Sequence, residues 1–291
     1  MTVAPVIALH GGAGVNPVRD YAPVAAHLGA LAEMVASRLA AGMSARDAVC
    51  LAVTDMEDSG LYVAGRGAGA NRAGVHEFDA SLMDGATGRA GAVAAVQNVR
   101  HPILAARAVM EETPHVLLAG DGATAFARMR GLAPVPDPVG WFRLAVGVEP
   151  DDLEADLAHG TVGAVALDTE GRLAAATSTG GTFGKLPGRV GDTPLPGVGT
   201  WADGTVAISC TGIGEHFILA GGAGDVAARV RYGAAGLEEA AEAMLARVAE
   251  LGGDGGLIAL DRSGTVAMPF NSPGMKRAVA GTGRETLVAI T

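Results

Sequence analysis

The sequence predicts an α+β chain in which two mainly antiparallel sheets face each other and helices cover their outer faces. Three observations lead there. Apolar runs of strand length are joined by short turns rich in Gly and Asp, which marks hairpins and not crossover connections. Stretches of helical periodicity gather in two groups, one on each side of a Pro-rich and acidic segment, so strands and helices do not alternate as a (β/α)8 barrel requires. With 49% hydrophobic and 18% charged residues over 291 positions the chain can bury a large core, and its 44 glycines sit among apolar runs, where they permit tight turns and close layer packing.

Pro5 to His10 is a continuous apolar run stopped by Gly11-Gly12-Ala13-Gly14, a buried first strand ending in a tight loop. Residues 22–43 repeat apolar positions at helical spacing, and Ser44 followed by Asp47 resembles a capping box that opens a second helix through about residue 56. Residues 57–74 are Gly-rich and irregular, and residues 77–84 and 90–96 flank Gly85-Ala86-Thr87-Gly88 as a hairpin. His101-Pro102 introduces a helix to about residue 112, residues 115–119 read as a short strand, and Asp121 caps a helix to about residue 130.

Residues 131–160 contain Pro134, Pro136 and Pro138 and the acidic run Glu149-Pro150-Asp151-Asp152-Leu153-Glu154, so they read as a linker with one helical turn near its end. After it the character changes. Residues 162–167 and 173–178 flank Asp168-Thr169-Glu170-Gly171 as a hairpin, residues 180–199 form a polar Gly-rich loop, and residues 205–210 form another strand. Helices follow over residues 215–231 and 236–251, and a last hairpin joins residues 257–260 to 265–268.

A net charge of −10 argues against a nucleic-acid or anionic-membrane surface and leaves a small molecule as the expected partner. No basic segment followed by an apolar run opens the chain and no apolar stretch approaches the ~20 residues of a membrane span, so a cytoplasmic location is expected. Cys50 and Cys210 have apolar neighbours and no metal or redox spacing, which predicts two reduced core thiols.

The chemistry centres on Gly160-Thr161, where a threonine opens a strand directly after glycine and an irregular segment. If the bond between them breaks, the freed α-amine of Thr161 can act as base for its own hydroxyl; the bland alternative is a threonine that merely suits a strand start. Downstream come Ala176-Thr177-Ser178-Thr179-Gly180-Gly181, then Gly188-Arg189-Val190-Gly191-Asp192-Thr193, then Ser209-Cys210-Thr211-Gly212-Ile213-Gly214-Glu215. Each sets hydroxyls or charges beside glycines that let a ligand approach the backbone.

In order and spacing these motifs resemble the plant-type L-asparaginase and isoaspartyl aminopeptidase family of N-terminal-nucleophile hydrolases. Leu9-His10-Gly11-Gly12-Ala13-Gly14, Asp79-Ala80-Ser81-Leu82-Met83-Asp84-Gly85, His115-Val116-Leu117-Leu118 and Met268-Pro269-Phe270-Asn271 extend the resemblance over nearly the whole chain. It implies a four-layer αββα sandwich, autoproteolysis between Gly160 and Thr161 into an α subunit of residues 1–160 and a β subunit of residues 161–291, and a dimer of such pairs. It implies hydrolysis of β-aspartyl dipeptides and L-asparagine, with Thr161 as nucleophile and Thr179 holding its rotamer. Thr211 and the Gly212 amide match the oxyanion hole, Arg189 the clamp on the substrate α-carboxylate, and Asp192 with the Gly214 carbonyl the partners of its α-ammonium. No catalytic metal is implied; a structural sodium ion held by backbone carbonyls of residues 56–65 is.

Leu61-Tyr62-Val63-Ala64-Gly65 departs from the family pattern by placing Val63 where relatives carry an asparagine thought to order polar groups around the oxyanion site. His10, His101, His115 and His216 lie in no Gly-x-Ser-x-Gly context and read as structural, as does His159 with less to support it. Gly11-Gly12-Ala13-Gly14 lacks the Lys-Ser/Thr of a phosphate loop and reads as a tight turn. Two alternatives stay open: a glycosylasparaginase-like amidase, which shares the nucleophile and the Gly-Arg-Val-Gly-Asp run, and a binding protein on this fold that never matures.

Overall fold

A computed structural model describes residues 3–149 and 160–291. Two sheets and two sets of helices stack as four layers. The larger sheet has eight strands in the order β12-β11-β1-β5-β6-β2-β3-β4, and the smaller has four in the order β10-β9-β8-β7. The strands are β1 (Val6–Ala13), β2 (Glu77–Asp84), β3 (Arg89–Gln97), β4 (Leu117–Ala119), β5 (Val162–Leu167), β6 (Leu173–Thr179), β7 (Thr200–Ala202), β8 (Val206–Gly212), β9 (Gly255–Asp261), β10 (Val266–Ala267), β11 (Met275–Gly281) and β12 (Arg284–Ala289). Every pairing is antiparallel except β3 with β4.

Alternation along the strands separates three cores and so defines the layers. Val6 and Ala8 of β1, Val165 and Leu167 of β5, Ala207 of β8 and Ile258 and Leu260 of β9 meet between the sheets. Ile7 and Leu9, with Val162, Ala164 and Ala166, point the other way onto α1 (Ala22–Ala40), α2 (Ala45–Ser59), α3 (Pro102–Glu112) and α4 (Gly120–Met129). Val206, Ile208 and Cys210, with Leu257 and Ala259, face α5 (Gly214–Ala220), α6 (Gly222–Gly233) and α7 (Leu237–Glu250). The predicted sandwich is therefore the observed one, and both cysteines are free and buried. Among the described residues no helix is long and apolar enough to cross a membrane.

Several local expectations need correction. Ser44 does cap α2, its side chain accepting the Asp47 amide, but α4 starts at Gly120 with no side-chain cap, and Asp121 contributes only its charge to the first turn. The helix expected over residues 215–231 is broken by Gly221, whose φ of 83° ends α5 and starts α6. Strand β7 lies just beyond the expected loop of residues 180–199, in a stretch with no expected element, and β11 and β12 were not foreseen. The helical turn expected near the end of the linker, and His159, lie outside the described residues.

Candidate active site

Strands from both sheets end at one place. Thr161 immediately precedes β5, Thr179 closes β6, Thr211 and Gly212 close β8, Gly214 opens α5, and Arg189 and Asp192 lie on the loop from β6 to β7. Gly160, Thr161, Thr179, Arg189, Asp192, Gly212 and Gly214 line one narrow cleft, joined by Gly181, Thr182, Gly191 and Thr193. Thr211 is fully buried behind that lining.

The peptide on the N-terminal side of Thr161 is held tightly. The Thr179 hydroxyl donates to the Gly160 carbonyl at 2.6 Å, while the Gly181 amide donates to Thr179 Oγ1 at 2.9 Å and so aims that hydroxyl. Strand β1 slips register between His10 and Ala13, and Gly12, at φ 101°, comes against the bond: an added Cβ would stand 3.2 Å from both Gly160 Cα and Thr161 N. One residue on, the Ala13 amide donates to Thr211 Oγ1 at 3.1 Å, which leaves the Thr211 proton free to donate elsewhere.

The charged side of the cleft pairs an anchored cation with an unsatisfied anion. Arg189 gives Nε to Glu215 Oε1 at 2.8 Å and Nη2 to Glu215 Oε2 at 2.6 Å, so Glu215 fixes one edge of the guanidinium and leaves its end free for a carboxylate. Gly191 lies directly against that end, near Nη1. Asp192 is buried, and its Oδ2 has no hydrogen-bond partner. Burial is the main cause that raises its carboxyl to about 7, with the neighbouring Arg189 opposing the shift. Gly214 makes the room, since a Cβ there would stand 2.8 Å from Asp192 N and Oδ1. The carboxylate of Glu77 accepts the Gly188 amide at 3.1 Å and its carbonyl takes Lys185 Nζ at 2.8 Å, which ties the loop carrying Arg189 to β2.

Sequence reasoning missed three contributors. Glu215 gave no signal apart from its place after Gly214. Gly12 read as an ordinary tight turn, although its position beside Gly160 comes only from the pairing of β1 with β5. His10 read as structural, yet its Nδ1 lies 3.1 Å from the Thr161 carbonyl. Val63, the departure from the family pattern, is buried with Ala145 and Phe183 and packs over Gly160, while its carbonyl accepts the Gly180 amide. Among the described residues no cluster of His, Cys, Asp and Glu could hold a metal ion. Beyond the end of α2 the turn of Gly65 and Gly67 is crowded by backbone: a Cβ on Gly65 would collide with the Glu57 carbonyl, and one on Gly67 with the Tyr62 carbonyl.

The family model described as "Asparaginase" matches residues 3–140 and 144–290, nearly the whole chain. The chain belongs to this asparaginase family. Its similarity extends to the isoaspartyl peptidase of Salmonella typhimurium, 48% identical over 94% of each chain, and to that of Escherichia coli, 46% identical over 94% of this chain and 92% of the relative. The plant-type L-asparaginase of Pyrobaculum calidifontis is 42% identical over 93% of this chain and 95% of its own. In this asparaginase-family chain the cleft brings together a hydroxyl donor on the carbonyl before the threonine, a cation and a buried carboxylate on one loop, and glycines where a side chain would fill the space.

Proposed function

We propose that this chain is an isoaspartyl peptidase with L-asparaginase activity that matures by cutting itself between Gly160 and Thr161. The observation that carries this reading is that Thr161 shares one cleft with Arg189 and with the buried carboxylate of Asp192, whose Oδ2 has no partner, an arrangement suited to a free α-amino acid. In the precursor, Thr161 Oγ attacks the Gly160 carbonyl carbon, and the Thr179 hydroxyl stabilises the oxyanion that forms. Acyl transfer from nitrogen to oxygen gives an ester, and water hydrolyses it to a Gly160 carboxylate and a Thr161 with free amine and hydroxyl.

In the mature enzyme the substrate α-carboxylate lies on the free end of Arg189, and its α-ammonium lies on Asp192 with the Gly214 carbonyl. Thr161 Oγ attacks the side-chain amide carbonyl and passes its proton to its own amine. The hydroxyl of Thr211 and the amide of Gly212 meet the charge on the tetrahedral oxygen, and the ammonium of Thr161 returns the proton to the departing amine. Water then cleaves the acyl ester by the same route. Residues 1–160 and 161–291 become the two subunits, two such pairs assemble, and the carbonyls around Gly65 hold a sodium ion with no part in the reaction.

A substrate panel on the cleaved protein tests the reading. β-Aspartyl dipeptides and L-asparagine are hydrolysed and α-aspartyl dipeptides are not, and Arg189→Ala weakens binding more than Arg189→Lys. Equal hydrolysis of α- and β-aspartyl peptides contradicts it.

A further inference from the structure

The steps above use only the cleft side of Thr161, and its other side meets a buried polar chain that they leave idle. His10 is fully buried at the end of the regular part of β1; its Nδ1 lies 3.1 Å from the Thr161 carbonyl and its Nε2 2.8 Å from Ser209 Oγ. From Ser209 the chain runs to Thr177 Oγ1 at 2.8 Å, to Thr200 Oγ1 at 2.5 Å and to Ser81 Oγ at 2.6 Å, and it ends on the Thr193 carbonyl, 2.6 Å from Ser81. All four hydroxyl residues are buried.

Both ends of this chain are carbonyl oxygens, which only accept. Six contacts lie between them, Thr177 Oγ1 adds a seventh to the Gly199 carbonyl at 3.3 Å, and a neutral imidazole leaves five polar hydrogens to serve them. Ser81 can serve two acceptors, since Thr193 O and Thr200 Oγ1 both stand 2.6 Å from its hydroxyl. Ser81 donates to Thr200 and Thr200 to Thr177, whose own hydroxyl faces both Ser209 and the Gly199 carbonyl; because the Thr161 carbonyl only accepts, the imidazole proton sits on Nδ1, aimed at Thr161, and Ser209 donates to His10 Nε2. Burial, the largest cause, holds His10 at a pKa of about 3, so it is neutral through the working range. Gly163 keeps the path open, because an added Cβ there would collide with Ser209 Oγ and His10 Nε2.

Thr161 stands two residues beyond Gly163, the last residue of β5 paired with β1, whose partner there is His10. Cleavage removes its tether on the N-terminal side. The plane of the Thr161–Val162 peptide then sets the direction of the amine and hydroxyl. We infer that His10 is a positioning residue for the nucleophile, its Nδ1–H holding the Thr161 carbonyl and through it the orientation of the groups that react. This rests on the proposed reading of Thr161 as an N-terminal nucleophile.

The experiment compares His10→Asn, whose amide nitrogen reaches the place of Nδ1, with His10→Gln, whose amide reaches the place of Nε2, on a β-aspartyl dipeptide. Rates are expressed per cleaved chain, the fraction beginning at Thr161 being read by intact mass. His10→Asn keeps kcat within about fivefold of wild type, His10→Gln loses about a hundredfold, and KM moves less than about threefold in both, the signature of lost transition-state alignment. Ser209→Ala, which frees the tautomer, loses about tenfold in kcat at constant KM and decides the matter if the His10 variants do not fold or cleave. A kcat for His10→Gln equal to or above that of His10→Asn overturns the inference, as does wild-type kcat in Ser209→Ala. An inactive, fully cleaved wild type instead overturns the reading on which it rests.

Discussion

In the proposed function Asp192 receives the substrate ammonium only as an anion, yet burial raises its carboxyl to about 7. The sign follows directly: below that value the free site is increasingly protonated and cannot receive an ammonium, so KM for a β-aspartyl dipeptide rises about tenfold per pH unit as pH falls below 7 and levels off above it. Asp192→Asn removes this acid limb and raises KM throughout. Steady-state kinetics from pH 5 to 8 check it, and a flat KM contradicts it. Glu215 acts one step back from the ligand: with Glu215→Ala the guanidinium of Arg189 loses its fixed edge, and KM rises about tenfold while kcat changes less than about threefold. Val63 sits among Ala145, Phe183 and the backbone of Gly160, so it is a packing residue. Val63→Asn therefore leaves the ratio of L-asparagine to dipeptide turnover unchanged and lowers Tm, because an amide enters an apolar niche at a cost of about 1–3 kcal/mol; a selective gain on L-asparagine contradicts this. The motif residues Thr161, Thr179, Arg189 and Asp192 were legible because hydroxyls and charges beside glycine are local signals. Glu215 and His10 were not, since their meaning lies in partners 26 and 151 positions away.

At the scale of elements, the slipped end of β1 brings Gly12 onto Gly160, and φ there is 101°. Gly12→Ala adds a Cβ 3.2 Å from the bond to be cut and strains the backbone besides, so cleavage slows by at least about tenfold on a denaturing gel time course. The sheet topology explains what the sequence concealed. β11 pairs with β1 and supplies the strand beyond it, yet its run Met275–Gly281 is interrupted by Lys276 and Arg277 and carries no alternation that would announce a buried strand. The three-residue β7 is too short to leave a period at all. Hairpins β2–β3 and β5–β6 were legible because their turns are built from Gly, Asp and Thr. The carbonyl-rich turn at Gly65 leaves no side-chain signature either. If it holds sodium, replacing that ion with a large organic cation lowers Tm by several degrees, about the effect of losing a bound ligand; equal Tm in both salts contradicts it.

The layers of the whole molecule do not depend on the peptide bond proposed to break. Residues on both sides of position 160 are woven into the same sheet, with β5 and β6 of the later half lying between β1 and β2 of the earlier half. Were the chain cut after Gly160 as proposed, the two pieces would remain joined by ladders on two sides and by the cores above and below. The sandwich was legible as two faces of alternating strands and two groups of helices, whereas the strand order was not, because long-range pairing leaves no local pattern. The account stands on Thr161 becoming a chain terminus. Intact-mass analysis and N-terminal sequencing of the purified protein, with activity followed over the same incubation, test this most directly. The account predicts two fragments, the second beginning at Thr161, with activity rising in step with cleavage and a single inactive chain for Thr161→Ala. A fully active unbroken chain, or a new terminus at another residue, contradicts it.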